Sequence, residues 1–139
     1  MYAHILVAAD GSENAFRAAT EAAKIALLSS ESRVTIVYVS DFEKSKTDVL
    51  HATSAESLYM ERRKKIAGVE TIFREAGITF TVEMLRGAPG PEIVKYANNN
   101  AVDLVVIGSR GLNSLQEMVL GSVSHKVMKR VNCPALVVK

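Results

Sequence analysis

The sequence predicts an α/β fold, a single domain built as a doubly wound, five-stranded parallel sheet with helices on both faces. Two observations carry this. Five short apolar runs alternate with four helical patterns from one end of the chain to the other. Three of those runs are nearly continuous Val, Ile, Leu and Ala, which is how strands buried on both faces read. At 139 residues the chain has one domain's length and can bury a core without disulfide staples.

The first run, residues 5–9, is unbroken Ile-Leu-Val-Ala-Ala. A helix over residues 14–28 follows, with Phe16, Ala19, Ala23 and Ala26 or Leu27 on one face, where small alanines allow close approach to a sheet. The second run is 34–39. Residues 41–53 are polar and patternless, so they read as a loop and a candidate lid. A helix over 54–76 repeats Ile66, Val69, Phe73 and Ala76, and Thr53-Ser54-Ala55-Glu56 has the form of a capping box. Gly77 stands where that helix must stop. The third run, 78–85, alternates Ile78, Phe80 and Val82 with Thr79, Thr81 and Glu83, as an edge strand with one wetter face does. Pro91 suits the first position of a helix carrying Ile93, Val94 and Ala97. The fourth run is 104–107. The last helix spans 122–130 with Val123, Val127 and Met128 apolar, and the fifth run is 135–138.

Composition narrows the function. A formal net charge of +2 is too small to argue for nucleic acid or an acidic membrane as partner. The run Glu61-Arg62-Arg63-Lys64-Lys65 points around more than one side of a helix and reads as a solvated face. The single cysteine, Cys133, rules out an internal disulfide and fits a reducing cytosol. No apolar stretch approaches the ~20 residues a membrane span needs. The expected setting is cytoplasmic.

In an open parallel sheet, ligands bind outside the carboxyl ends of the strands, where the strand order reverses. The second strand ends there in Val39-Ser40-Asp41. After the fourth strand comes Gly108-Ser109-Arg110-Gly111, then nine residues, then Gly121-Ser122-Val123-Ser124 opening the last helix. The first amides of a helix have no intrahelical partner and sit at its positive end, so they and the Ser122 and Ser124 hydroxyls suit a phosphate, with Arg110 adding charge. A glycine at 108 lets a ligand approach the backbone. Spacing alone leaves a second reading open, in which Gly108 and Gly111 make a turn and Ser122 caps a helix. Asp10-Gly11-Ser12 follows the first strand, where a carboxylate can accept hydrogen bonds from ribose hydroxyls; taken alone, a helix cap is the simpler reading. There is no phosphate loop of the Gly-Lys-Ser/Thr type, no dinucleotide fingerprint and no nucleophile elbow. His4, His51 and His125 have no metal-ligand spacing, and no catalytic residue is assigned.

These residues resemble the universal stress protein family along essentially the whole chain. The resemblance lies in Ile5-Leu6-Val7-Ala8-Ala9-Asp10-Gly11-Ser12, in Val105-Val106-Ile107-Gly108-Ser109-Arg110-Gly111, and in Gly121-Ser122-Val123-Ser124 with Cys133-Pro134-Ala135-Leu136-Val137-Val138. The glycine spacing resembles that of the family's ATP-binding branch. The resemblance implies a Rossmann-like, adenine nucleotide alpha hydrolase-like sheet of strand order 3-2-1-4-5, a homodimer paired through the last strand, and ATP, ADP or AMP as ligand. It places Asp10 at the ribose, the Val39 backbone at the adenine with Ala9 nearby, Gly108, Arg110 and Gly111 along the ribose and phosphate path, and Gly121, Ser122, Val123 and Ser124 around the phosphates. Mg2+ or Mn2+ is a candidate companion of the phosphates, although no carboxylate cluster is dedicated to it. Three functions follow: a nucleotide-binding regulatory protein; a slow ATPase or autophosphorylating phosphotransferase with Asp10 or Ser124 as reacting group; and a dimeric scaffold with no nucleotide.

Overall fold

The computed structural model describes residues 1–40, 55–110 and 120–139. Nine elements alternate through it: β1 (His4–Ala8), α1 (Glu13–Ala26), β2 (Arg33–Ser40), α2 (Ala55–Glu75), β3 (Thr79–Arg86), α3 (Pro89–Asn99), β4 (Leu104–Gly108), α4 (Ser122–Arg130) and β5 (Ala135–Val138). The strands form one sheet in the order β3-β2-β1-β4-β5, and every neighbouring pair is parallel. The expected strand order is therefore the observed one. The capping box over 53–56 lies partly, and the candidate lid over 41–53 wholly, outside the described residues.

Strand alternation splits the core in two. Ile5 and Val7, Val34 and Ile36, and Leu104 and Val106 point to one face, where they meet the alanines of α1 and Ile66, Val69 and Phe73 of α2. Leu6, Val37, Val105 and Ile107 point to the other face and meet Ile93 and Ala97 of α3 and Val127 of α4. The helix side thus changes between β1 and β4, which is where the strand order reverses. β1 and β4 lie mid-sheet and are buried almost throughout. β3 alternates exposed and half-buried residues as an edge strand does. β5 lies at the other edge, where the expected order puts it; its apolar run alone reads as doubly buried, yet Leu136 keeps 36% of its surface exposed.

Helix details correct the sequence reading in three places. α1 buries Asn14, Ala15, Ala18, Ala19, Ala22, Ala23 and Ala26. Phe16 remains 48% exposed and Leu27 61%. The alanine rows let α1 lie against the sheet, so Phe16 turns aside toward α2, where a Cβ on Gly68 would meet its ring at 3.2 Å. In α3 it is Pro89, not Pro91, that opens the helix, because Ala88 is already extended and serves as the N-cap. In α4, Val127 is buried while Met128 faces solvent.

Gly77 ends α2 as anticipated. Its φ of +71° is a left-handed conformation, the Ile78 amide bonds back to the Phe73 carbonyl at 3.0 Å, and the Gly77 amide bonds to Arg74 at 3.1 Å. Within α2, Lys64 and Lys65 are exposed, whereas Arg63 pairs with the largely buried Glu70 at 2.6 Å. His4, at the far end of the sheet from the strand carboxyl ends, is structural: its ring touches the Asn100 carbonyl at 3.1 Å and the Thr35 hydroxyl at 2.8 Å. No helix among the described residues is long and apolar enough to cross a membrane.

Candidate functional site

The carboxyl ends of β1, β2 and β4 and the start of α4 meet at the point where the helices change sides. β1 gives way to Ala9 and then to a tight turn, in which the Ser12 amide donates to Asp10 Oδ1 at 2.9 Å. Ser12 then caps α1, its hydroxyl accepting from the Ala15 amide at 3.1 Å. Capping thus falls to Ser12, and Asp10 stays half-buried at the strand end. The Ala9 amide donates to the Val37 carbonyl at 2.9 Å, the last bond between this segment and β2. Ala9 itself is buried against the α1 side of the core.

Two residues beyond Val37, Val39 presents its backbone edge in the same direction, past the end of that ladder, since alternate residues of a strand face the same neighbour. Val39 and Ala8 are both half-buried and pack on the α3 and α4 side of the sheet. Together they make a small apolar floor with a polar backbone edge beside it.

Gly108 ends β4, and its reason is mainly a packing one. A Cβ at position 108 would stand 2.8 Å from Asn14 Cβ and 2.9 Å from the Asn14 carbonyl carbon, so the residue admits the first turn of α1. Ser109 follows, its amide donating to Val138 at 2.7 Å and its carbonyl accepting from the Gly121 amide at 2.8 Å. Arg110 is half-buried beside them, and Gly111 lies outside the described residues.

Gly121 is the N-cap of α4, in an extended conformation with no side-chain cap bond. Its own amide is taken by Ser109, so among the described residues the amides that lack an intrahelical partner are those of the first turn behind it, beginning at Ser122 and Val123. No acidic side chain occupies that turn, and Ser122 is exposed. Ser124 is 3% exposed, and its hydroxyl donates to the Gly108 carbonyl, anchoring α4 to β4.

Two contributors escaped the sequence reading. Asn14, on α1, donates its amide Nδ2 to Ser109 Oγ at 3.2 Å and so reaches the turn after β4. Lys65, assigned to a solvated helix face, is exposed but lays its stem over Gly11, where a Cβ would meet Lys65 Cβ at 3.5 Å. Both contacts join residues far apart in sequence, so no local pattern announces them. Among the described residues, no group of three or more His, Cys, Asp or Glu side chains could hold a metal ion.

The arrangement offers an apolar floor with a backbone edge, a carboxylate and a positive helix end, all at the carboxyl ends of neighbouring strands. A family model described as the universal stress protein family matches residues 1–139. The universal stress protein MJ0531 of Methanocaldococcus jannaschii is 34% identical, over all of this chain and 83% of that protein. Among solved structures, that of MJ0577 from the same organism superposes with a TM-score of 0.85 at 31% identity, covering 100% of this chain and 96% of that one. A universal stress protein from Archaeoglobus fulgidus, in complex with dAMP, superposes with a TM-score of 0.74 at 25% identity, covering 99% of this chain and 98% of that one.

Proposed function

The chain belongs to the universal stress protein family, and from that premise we propose that it binds adenine nucleotides, ATP among them, at the carboxyl end of its sheet and acts as a regulatory protein. The observation that carries this is the first turn of α4, whose N-cap Gly121 brings no side chain to cap it and which holds no acidic residue, at the same end of the sheet as Asp10 and the Val39 backbone edge. The structural relative solved with dAMP supports the same ligand class.

Each part of a nucleotide has a counterpart. Adenine is flat and apolar with a hydrogen-bonding edge, which suits Ala8 and Val39 as floor and the Val39 backbone as edge reader. Ribose hydroxyls are donors, which suits the Asp10 carboxylate. Phosphate oxygens accept from the Ser122 and Val123 amides, where the helix end favours negative charge, with Arg110 contributing a cation. A divalent ion would be held chiefly by phosphate oxygens, because the described residues offer no ligand cluster of their own.

The alternative of a slow ATPase or autophosphorylating phosphotransferase rests more on Asp10, because the Ser124 hydroxyl is buried and donates to the Gly108 carbonyl. Hydrolysis also needs a placed water and charge stabilisation beyond binding. The edge position and exposed Leu136 of β5 support a homodimer paired along that strand.

The test is thermal unfolding with and without ATP. At a hundred times its dissociation constant, a ligand stabilises by roughly 2.7 kcal/mol. Ser122→Asp is the matching variant. An acidic residue suits the first helical position, so the fold is kept, but its charge repels phosphate. A stabilisation by ATP that Ser122→Asp abolishes supports the reading; no shift in the parent protein, or an equal shift in both, discards it.

A further inference from the structure

Beyond the groups that touch a nucleotide, we infer that Asn14 is a positioning residue of this site: it fixes the turn at Ser109 and ties that turn to the end of β5. The inference rests on the nucleotide reading above and adds a residue that reading does not use.

Ser109 is held from three elements at once. Its amide donates to Val138 on β5 at 2.7 Å, its carbonyl accepts from Gly121 at the start of α4 at 2.8 Å, and its hydroxyl oxygen accepts from Asn14 Nδ2 on α1 at 3.2 Å. The second bond matters most for the ligand. Wherever the Ser109 carbonyl goes, the N-cap of α4 follows, and with it the amides offered to phosphate. Asn14 is the side chain that sets Ser109 from the third side.

The direction of these bonds follows from donor chemistry. Asn14 Oδ1 accepts from the Arg17 guanidinium, which has only donors. The amide nitrogen must therefore face Ser109, whose oxygen acts as acceptor and whose own proton turns elsewhere. Arg17 also donates from Nε to the backbone oxygen of Lys139 at 2.9 Å. A chain of bonds thus runs Ser109–Asn14–Arg17–Lys139, alongside the direct bond from Ser109 to Val138. Asn14 is buried and its backbone is wedged over Gly108, so its amide has little room to take another pose. A nucleotide that steadies the turn steadies the β5 end through the same residues, and loosening the β5 end loosens the turn.

The experiment is a double-mutant cycle in the full chain. ATP affinity is measured by calorimetry for the parent, Asn14→Ala, Ser109→Ala and the double variant, well below the unfolding midpoint of each, so that lost stability alone leaves Kd unchanged. Each single variant is expected to raise Kd about 3- to 10-fold, the worth of one ordinary hydrogen bond, and the double variant to match the singles rather than multiply them. Hydrogen exchange at the Ser109 amide is expected to slow with ATP in the parent and to lose that response in Asn14→Ala. Parent-like affinity in Ser109→Ala, or losses that multiply, overturns the positioning role and leaves the nucleotide site standing. A parent protein that fails to bind ATP overturns the nucleotide reading instead, and this inference with it.

Discussion

Asn14 lies so close over Gly108 that no side chain fits between them. A Cβ at 108 would stand 2.8 Å from the Asn14 Cβ and 3.0 Å from its carbonyl oxygen, with the helix backbone on the far side unable to swing away. The first turn of α1 and the last residue of β4 are therefore fixed against each other, and the carboxyl ends of the paired strands β1 and β4 are held by that contact.

Gly108→Ala accordingly destabilises the fold whether or not a ligand is bound. Forcing a methyl group into a packed site costs about 1–3 kcal/mol, more than the ~0.5–1 kcal/mol gained by removing a glycine from a strand. Urea unfolding without nucleotide reads this directly. A variant as stable as the parent would mean that α1 can slide along the sheet.

Ser12→Ala removes the cap of α1, where the hydroxyl accepts from Ala15 at 3.1 Å. The expected loss is ~1 kcal/mol. Because α1 packs on β4 as well as β1, the loss should appear as a lower global unfolding midpoint rather than local fraying; a fall in hydrogen-exchange protection spread evenly along α1 and matching the fall in global stability, rather than one confined to its first turn, distinguishes the two.

His4 predicts an acid-side loss of stability. Burial, with Arg33 next in effect, holds its pKa below the ordinary 6.5. The unfolded chain then takes up this proton before the folded one as pH falls, so stability decreases with falling pH. The contribution is complete above about pH 6.5 and is lost toward the lower folded value. Denaturation midpoints between about pH 8 and pH 5 should show this slope, flattened in His4→Gln. The same slope in that variant would assign the effect to other groups.

On the β5 edge, Leu136→Lys is expected to convert a dimer to monomer at micromolar concentration with little change in secondary structure, because the residue is already partly exposed in the single chain. Sedimentation velocity checks it. A parent protein that sediments as a monomer removes the dimer proposal outright.

Much of this was legible in the sequence because its signals are local and periodic. The alternation of 78–85 marked β3 as an edge strand, and continuous Val and Ile at β1 and β4 marked the sheet centre. The glycine before β3 marked the end of α2. What misled was periodicity where a neighbour decides. Phe16 falls on a helical stripe with Ala19 and Ala23, yet the sheet admits only the alanines there, so the ring turns toward Gly68. β5 reads like β4 because an apolar composition cannot say on which side a strand lacks a neighbour. At the site, the positions of Asp10, Val39 and Ser122 followed from strand ends and a helix start. Asn14 did not, because its partner Ser109 is 95 residues away; the available hint was a polar residue within an alanine-rich buried face, followed three residues later by an arginine.

The wedge of Asn14 over Gly108 also bears on how such a chain can diverge. If the proposed ligand were lost from a descendant, Gly108 would still be selected, because folding demands it, while the exposed Ser122 would be released from constraint. Within this architecture, a glycine retained at 108 is a record of ancestry and packing. The informative residues for whether a relative still holds a ligand are those that the fold can spare.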